Sequence, residues 1–112
     1  MANAKFRVIV KKSGSSARAV IRPPFDVATK AGNGQLELRN KTTADILVAL
    51  PGGIFGNGAQ PDPAQNIPVA PGNLLTRPVH PQGAEGIHDF RVFCIETFSF
   101  ADANSDPEII IE

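Results

Sequence analysis

The side chains with metal-binding or redox chemistry in this sequence are Cys94 and two histidines, His80 and His88. One thiolate and two imidazoles form a donor set that copper and zinc sites use. The spacing opposes such a site, because six residues of extended strand separate His88 from Cys94 by about 20 Å. His80 lies between Val79 and Pro81 in a predicted loop, which indicates a solvated surface histidine. We therefore predict no metal site and no cofactor; a small metal-binding or redox protein using Cys94 with His80 or His88 is the alternative.

Cys94 lies in a predicted strand, in which side chains alternate between two faces. One face carries His88, Phe90, Val92 and Cys94. On the opposite face, Asp89 and Arg91 indicate contact with solvent. Cys94 is therefore expected in the core, where an unpaired thiol packs as a small apolar group. As the only cysteine, it also excludes an intrachain disulfide.

The elements that must position Cys94 are short strands separated by turns. The 112 residues include Gly 10 and Pro 10, with seven phenylalanines and no tryptophan or tyrosine, a composition that favours strands over helices. Strands are expected at 6–10, 17–21, 35–40, 45–50, 65–70, 74–79, 87–96 and 108–112, with a short extended piece at 25–29. Length and spacing predict a single domain, 1–112, folded as an all-β Greek-key sandwich of about seven to eight strands.

The order of features in the chain resembles that of a known family. It runs from an Asn-ended strand at 38–40, through an apolar strand ending at Pro51 and a crossing rich in proline and glycine, to Gly86-x-x-x-Phe90-x-Val92-x-Cys94 and a final strand. From about Phe25 to the end, this order is similar to that of the cupredoxins. The resemblance implies the cupredoxin fold.

The same resemblance can be tested against the copper ligands. Cupredoxins that carry electrons bind copper through two histidines, one cysteine and usually a weak axial methionine. Cys94 matches the family's cysteine, but the first histidine would fall near Asp45 or Ile46, no histidine follows Cys94, and the only methionine is Met1. The resemblance therefore implies a cupredoxin-like domain without the type 1 copper site.

The net charge of zero hides an asymmetry along the chain. Up to Lys41, nine lysines and arginines oppose only Asp26 and Glu37. Beyond that point, nine acids oppose only Arg77 and Arg91. The basic residues alternate with apolar strand positions and lack a set of stacking aromatic rings, so we predict no nucleic-acid binding. We expect the two halves to neutralise each other across adjacent strands, or across subunits packed head to tail.

Two loops contain apolar residues that are candidates for contact with a partner. Ile54 and Phe55 lie in the glycine-rich segment 52–58, which has neither the Lys-Ser/Thr nor the helix of a phosphate-binding loop. Phe98 and Phe100 lie in the polar loop 97–107. Capping one end of the sandwich is the alternative, and the more ordinary, role for Ile54 and Phe55.

These observations favour a protein without chemistry of its own. The sequence contains no Gly-x-Ser-x-Gly nucleophile turn and no pair of carboxylates expected to face each other in a cleft. We predict a non-catalytic interaction or structural module that binds a protein partner or a second copy of itself. No segment is long and apolar enough for a signal-peptide core or a membrane span, so we predict no membrane partner and a cytoplasmic location by default. A leader removed before this sequence begins would leave no trace in it.

Overall fold

Strands provide all the regular secondary structure in the part of the chain that the structure describes. The computed structural model describes residues 3–102 and 106–112. In order, the strands are β1 (Ala4–Ser13), β2 (Ser16–Arg22), β3 (Phe25–Ala28), β4 (Gln35–Asn40), β5 (Ile46–Leu50), β6 (Gln65–Val69), β7 (Leu74–Pro78), β8 (Gly86–Asp89), β9 (Arg91–Cys94), β10 (Ser99–Phe100) and β11 (Glu108–Ile111). No helix occurs within these ranges, which confirms the predicted all-β class.

The eleven strands of the described ranges form three sheets. The first sheet has the order β2-β1-β4-β7, the second β10-β9-β5-β6 and the third β3-β11-β8. Two neighbouring pairs, β1 with β4 and β3 with β11, are parallel. The inner faces of the three sheets contribute to one hydrophobic core, so a β-sandwich-like class fits the molecule.

The number of strands differs from the predicted seven to eight, and the division of one predicted strand at Phe90 accounts for one additional strand. The single strand expected at 87–96 is divided at this residue, whose N–H donates to Pro107 O over 3.0 Å instead of continuing one ladder. Before Phe90, β8 pairs with β11 in the third sheet; after it, β9 pairs with β5 in the second sheet. One continuous run of the sequence therefore contributes a strand to each of two sheets.

Side chains in β1 alternate between the core side and the outer side of the first sheet. Phe6 and Val8 are buried, while Lys5 and Arg7 between and beside them are exposed. The ring of Phe6 meets the ring of Phe90 edge to face, with 5.0 Å between centroids. Through this contact, the first sheet packs against the junction between the second and third sheets.

The centre of the second sheet is the antiparallel pair of β5 and β9. Ile46 lies opposite Cys94, and Val48 lies opposite Val92. All four side chains are completely buried. The apolar run of 46–50 is therefore a core strand, as predicted from the proline and glycines that follow it.

A buried amide joins the end of β4 to the second sheet. Asn40 Nδ2 donates to Ala44 O and Val69 O, each over 2.9 Å. Its Oδ1 accepts from the backbone N–H of Thr42 over 2.9 Å and from the Thr42 hydroxyl over 2.7 Å. Each polar atom of the Asn40 side chain is thus satisfied, as burial requires.

The loop predicted at 97–107 is only partly described, because residues 103–105 lie outside the described ranges. Its first half contains the short strand β10, and Ala101 N donates to Val92 O over 2.8 Å. Within residues 3–102 and 106–112, no helix has the length and hydrophobicity needed to cross a membrane.

Candidate functional site

Cys94 lies in the core, as its strand pattern predicts. The side chain is completely buried, with Ile46 opposite it on β5 and Ser99 opposite it on β10. A thiol enclosed in this way packs as an apolar group and is closed to solutes.

The prediction that His80 is a solvated surface residue was wrong. Its side chain is buried, with Nε2 2.9 Å from Gly58 O and Nδ1 3.0 Å from the backbone N of Gln82. The neutral imidazole with its proton on Nε2 satisfies both contacts, since Nε2 then donates to the carbonyl and Nδ1 accepts from the amide. The segment 51–64 folds over this histidine, a long-range contact that local sequence does not reveal.

The three candidate metal ligands have separate surroundings. The half-buried His88 has Nε2 2.7 Å from Ala84 O, whereas the buried His80 is bonded to Gly58 of the segment 51–64. Across the described ranges, no group of three or more histidine, cysteine, aspartate or glutamate side chains is placed to hold a metal ion.

Ile54 and Phe55 are buried, so they are not available as anchors for a partner. Phe55 pairs with Val79 in a β-bridge, and Ile54 O accepts from His80 N over 2.9 Å. Gly56 N donates to Pro78 O over 2.9 Å. The interaction role predicted for Ile54 and Phe55 was therefore wrong, and their alternative role as a cap agrees with the structure.

Phe98 and Phe100, by contrast, are exposed and belong to an apolar surface. They join Leu47, Arg91 and Phe93 on the outer face of the second sheet, which we call the aromatic face. Phe100, Phe93 and Leu47 form one row across β10, β9 and β5. The Phe93 ring meets both Phe98 and Phe100 edge to face at 5.2 Å between centroids. Phe98 remains 80% exposed and Phe100 49% exposed.

One cation lies against the aromatic face. The Arg91 guanidinium carbon is 4.0 Å from the centroid of the Phe100 ring, a cation–π distance. Arg91 Nε also lies 3.8 Å from an Asp106 carboxylate oxygen. Leu47, Ala49 and Asn66 line the depression beside it. The face therefore offers aromatic rings, a shallow depression and one oriented charge.

Phe98 adopts a backbone conformation that is unfavourable for its side chain. Its φ is +52°, in the left-handed region that glycine and asparagine tolerate best. The turn closes with Phe98 N donating to Ile95 O over 3.1 Å. A large, mostly exposed aromatic residue at a left-handed position gains little stability there.

The outer face of the first sheet is basic. Its members, which we call the basic face, are Lys5, Arg7, Arg22, Arg39 and Lys41. Arg7 lies opposite Arg22 on β2 and beside Arg39 on β4, so three arginines form one row across three strands. Lys5, Arg7, Arg39 and Lys41 line one shallow depression together with Glu37 and Leu74.

The outer face of the third sheet combines carboxylates with exposed apolar side chains. Its members, which we call the acidic face, are Phe25, Val27, Ile87, Asp89, Glu108 and Ile110. Glu108 lies between Phe25 and Asp89 in one row, and Ile110 lies between Val27 and Ile87 in the next. Phe25 is 56% exposed and Ile87 63% exposed.

The two oppositely charged halves of the chain meet at a few places. In the described part of the chain, two of three ion pairs join them: Arg18 to Asp102 at 3.8 Å and Lys30 to Glu85 at 3.5 Å. None of the three includes a member of the basic face. The expected neutralisation across strands is therefore partial.

A scan against protein-family models and a search of curated proteins found no match to this chain. Function is accordingly inferred from the three outer faces and from the surroundings of Cys94.

Proposed function

We propose that this chain is a non-catalytic protein-binding module, built on a cupredoxin-like Greek-key sandwich without a type 1 copper site. The aromatic face is its contact surface. The observation that carries the proposal is the exposure of Phe98 and Phe100 beside Arg91, since aromatic rings and arginine dominate the binding energy of protein interfaces. The proposal thus retains Phe98 and Phe100 as candidate residues for contact with a partner.

The residue opposite Cys94 on β5 supports the proposal that the domain has no type 1 copper site. In the resemblance to cupredoxins, the first histidine ligand would fall near Asp45 or Ile46. Ile46 lies opposite Cys94, and its side chain has no donor atom. The enclosed thiol likewise favours a packing role over a redox role.

Energetics favour burial of the aromatic face in a complex. Covering one phenylalanine side chain contributes about 1.5–3 kcal/mol; Phe98 has most of that gain still available and Phe100 about half. The contacts with Phe93 hold both rings in place, so binding costs little side-chain entropy. Another protein surface with an apolar centre and a carboxylate for Arg91 is the occupant that fits.

The experiment replaces Phe98 with the photocrosslinker benzoylphenylalanine and compares it with the same replacement at Gln60, an exposed loop residue outside the three faces. We expect position 98 to crosslink one discrete protein and position 60 not to do so. A crosslinked dimer of the chain identifies the partner as a second copy. The captured protein, once purified, is then titrated against wild type and against F98N/F100S.

We expect F98N/F100S to weaken binding at least about tenfold while the control Gln60→Asn leaves it unchanged. Asparagine at 98 suits the left-handed backbone, so the variant keeps its fold. The proposal fails if position 98 crosslinks nothing, or if the captured protein binds wild type and F98N/F100S equally well.

A further inference from the structure

We propose that copies of this chain associate head to tail, with the basic face of one copy against the acidic face of the next. This contact does not use the aromatic face, so its test is independent of the protein-binding role proposed above.

In the described ranges, no ion pair includes a member of the arginine row. Arg7 lies between Arg22 and Arg39, and like charges at adjacent strand positions are destabilising. Carboxylates supplied from outside would remove this repulsion. The basic face is therefore suited to contact with an acidic surface.

The acidic face has the matching arrangement. Glu108 and Asp89 lie side by side on β11 and β8. They form a pair of negative charges, opposite in sign to the arginine row. Neighbouring strands in any sheet are about 4.8 Å apart, so carboxylates on one sheet and arginines on another follow the same spacing. Two rows with a common spacing can form several ion pairs in one register.

Apolar groups flank the charges on both faces. Phe25 and Ile87 protrude beside the carboxylates, and Leu74 lies opposite Arg39 at the edge of the basic face with 40% of its surface exposed. Ile9, half-buried, lies one outward position beyond Arg7 on β1. A contact between the faces thus buries apolar area as well as pairing charges, as stable interfaces require.

A second copy fits the basic face better than a nucleic acid does. Glu37 lies beside Lys5 in the middle of the face, so the positive charge does not form the continuous groove that a nucleic-acid backbone follows. Basic side chains there are joined by Leu74 and Thr76 instead of aromatic rings that could stack on bases. Because the two faces are different surfaces, their contact is heterologous and adds copies in one direction.

The experiment is sedimentation velocity over a range of protein concentrations, at about 20 mM and about 500 mM salt. We expect wild type to associate in low salt and the association constant to fall at least about tenfold in high salt. Arg7→Glu and Glu108→Lys should each lose association by a similar factor when studied alone. An equimolar mixture of the two variants should form a heterodimer, because it restores one native pair of faces.

Folding provides the control. Arg7→Glu places a carboxylate between Arg22 and Arg39, and Glu108→Lys places an ammonium beside Asp89, so neither variant should lower the urea midpoint. A wild type that stays monomeric at about 1 mM in low salt overturns the proposal. So does a variant mixture that remains monomeric.

Discussion

Ile46 and Cys94 face each other across β5 and β9, and both are completely buried. An isoleucine and a thiol in this relationship form part of the core, and the isoleucine side chain has no donor atom. Because Cys94 also borders the short strand β10 through Ser99, it supports the turn that carries Phe98. The residue with the most chemistry in the sequence thus supports the aromatic face by packing.

We expect Cys94→Ala to lower the free energy of unfolding by about 1–2 kcal/mol, because it leaves a small cavity. Cys94→Ser should cost about 1–3 kcal/mol through the buried hydroxyl. Urea denaturation measures both. In the folded wild type the thiol should react with Ellman's reagent only as fast as the protein unfolds. Immediate reaction, or loss of bound metal in Cys94→Ser, would instead favour the metal or redox alternative.

Asn40→Asp should destabilise the protein by about 3–5 kcal/mol at neutral pH. A carboxylate cannot donate to Ala44 O and Val69 O, so a buried negative charge would face two carbonyl oxygens. The matched control is Asn66→Asp on β6, an exposed position where we expect a change within about 0.5 kcal/mol. Equal urea midpoints for the two variants would refute the bonding role of Asn40.

Glu96 links stability to pH through Thr43. The Thr43 backbone N–H and then its hydroxyl, each 2.7 Å from Glu96 Oε1, lower the pKa of this carboxyl below its ordinary 4.5, with a smaller contribution from Lys12. A carboxyl with a lowered folded-state pKa stabilises the fold fully above pH 4.5 and loses that contribution as the pH falls through the folded-state value.

Glu96→Gln should therefore unfold at lower urea than wild type at pH 7, and the difference should shrink in acid. Thr43→Val is the control for the two hydrogen bonds, since it removes the hydroxyl and keeps the backbone N–H. Its effect should have the same pH dependence with a smaller size. A difference between wild type and Glu96→Gln that stays constant from pH 7 to pH 3 would contradict the assignment.

Gly83→Ala should cost about 1–3 kcal/mol. A Cβ at Gly83 would lie 2.7 Å from Ile54 O and 3.0 Å from His80 O, both backbone atoms of the segments packed around His80. Gly58→Ala is the control, because its nearest atom would be Gln60 O at 3.8 Å. Thermal unfolding of the two variants measures the difference, and a Gly83→Ala as stable as Gly58→Ala would show that these segments separate easily.

Local pattern was sufficient to predict the all-β class, most of the strands and the burial of Cys94. Alternation in β1 and β9 and the proline and glycine turns carry that information, because each is set by residues near in sequence. Division of the 87–96 run at Phe90 was not predictable, since it depends on Pro107 and on strands from other parts of the chain.

Contacts between distant segments explain the remaining errors. His80, Ile54 and Phe55 were assigned to exposed loops because proline and glycine surround them, yet their segments pack on each other. The three outer faces were equally hidden, since a row such as Arg22–Arg7–Arg39 exists only once the register of three strands is known. Charge counts alone showed the asymmetry and not its placement.

The position of β11 has a consequence for biosynthesis. It is the middle strand of the third sheet, with β3 on one side and β8 on the other. During translation, β3 emerges early and must wait for residues 108–111 before it has a neighbour in that sheet. Until the ribosome releases this segment, Phe25 and Ile87 belong to strands without their partner, so chaperone contact is expected at this stage. A stop codon before Glu108 would remove β11, so β3 and β8 would permanently lack their partner in the third sheet.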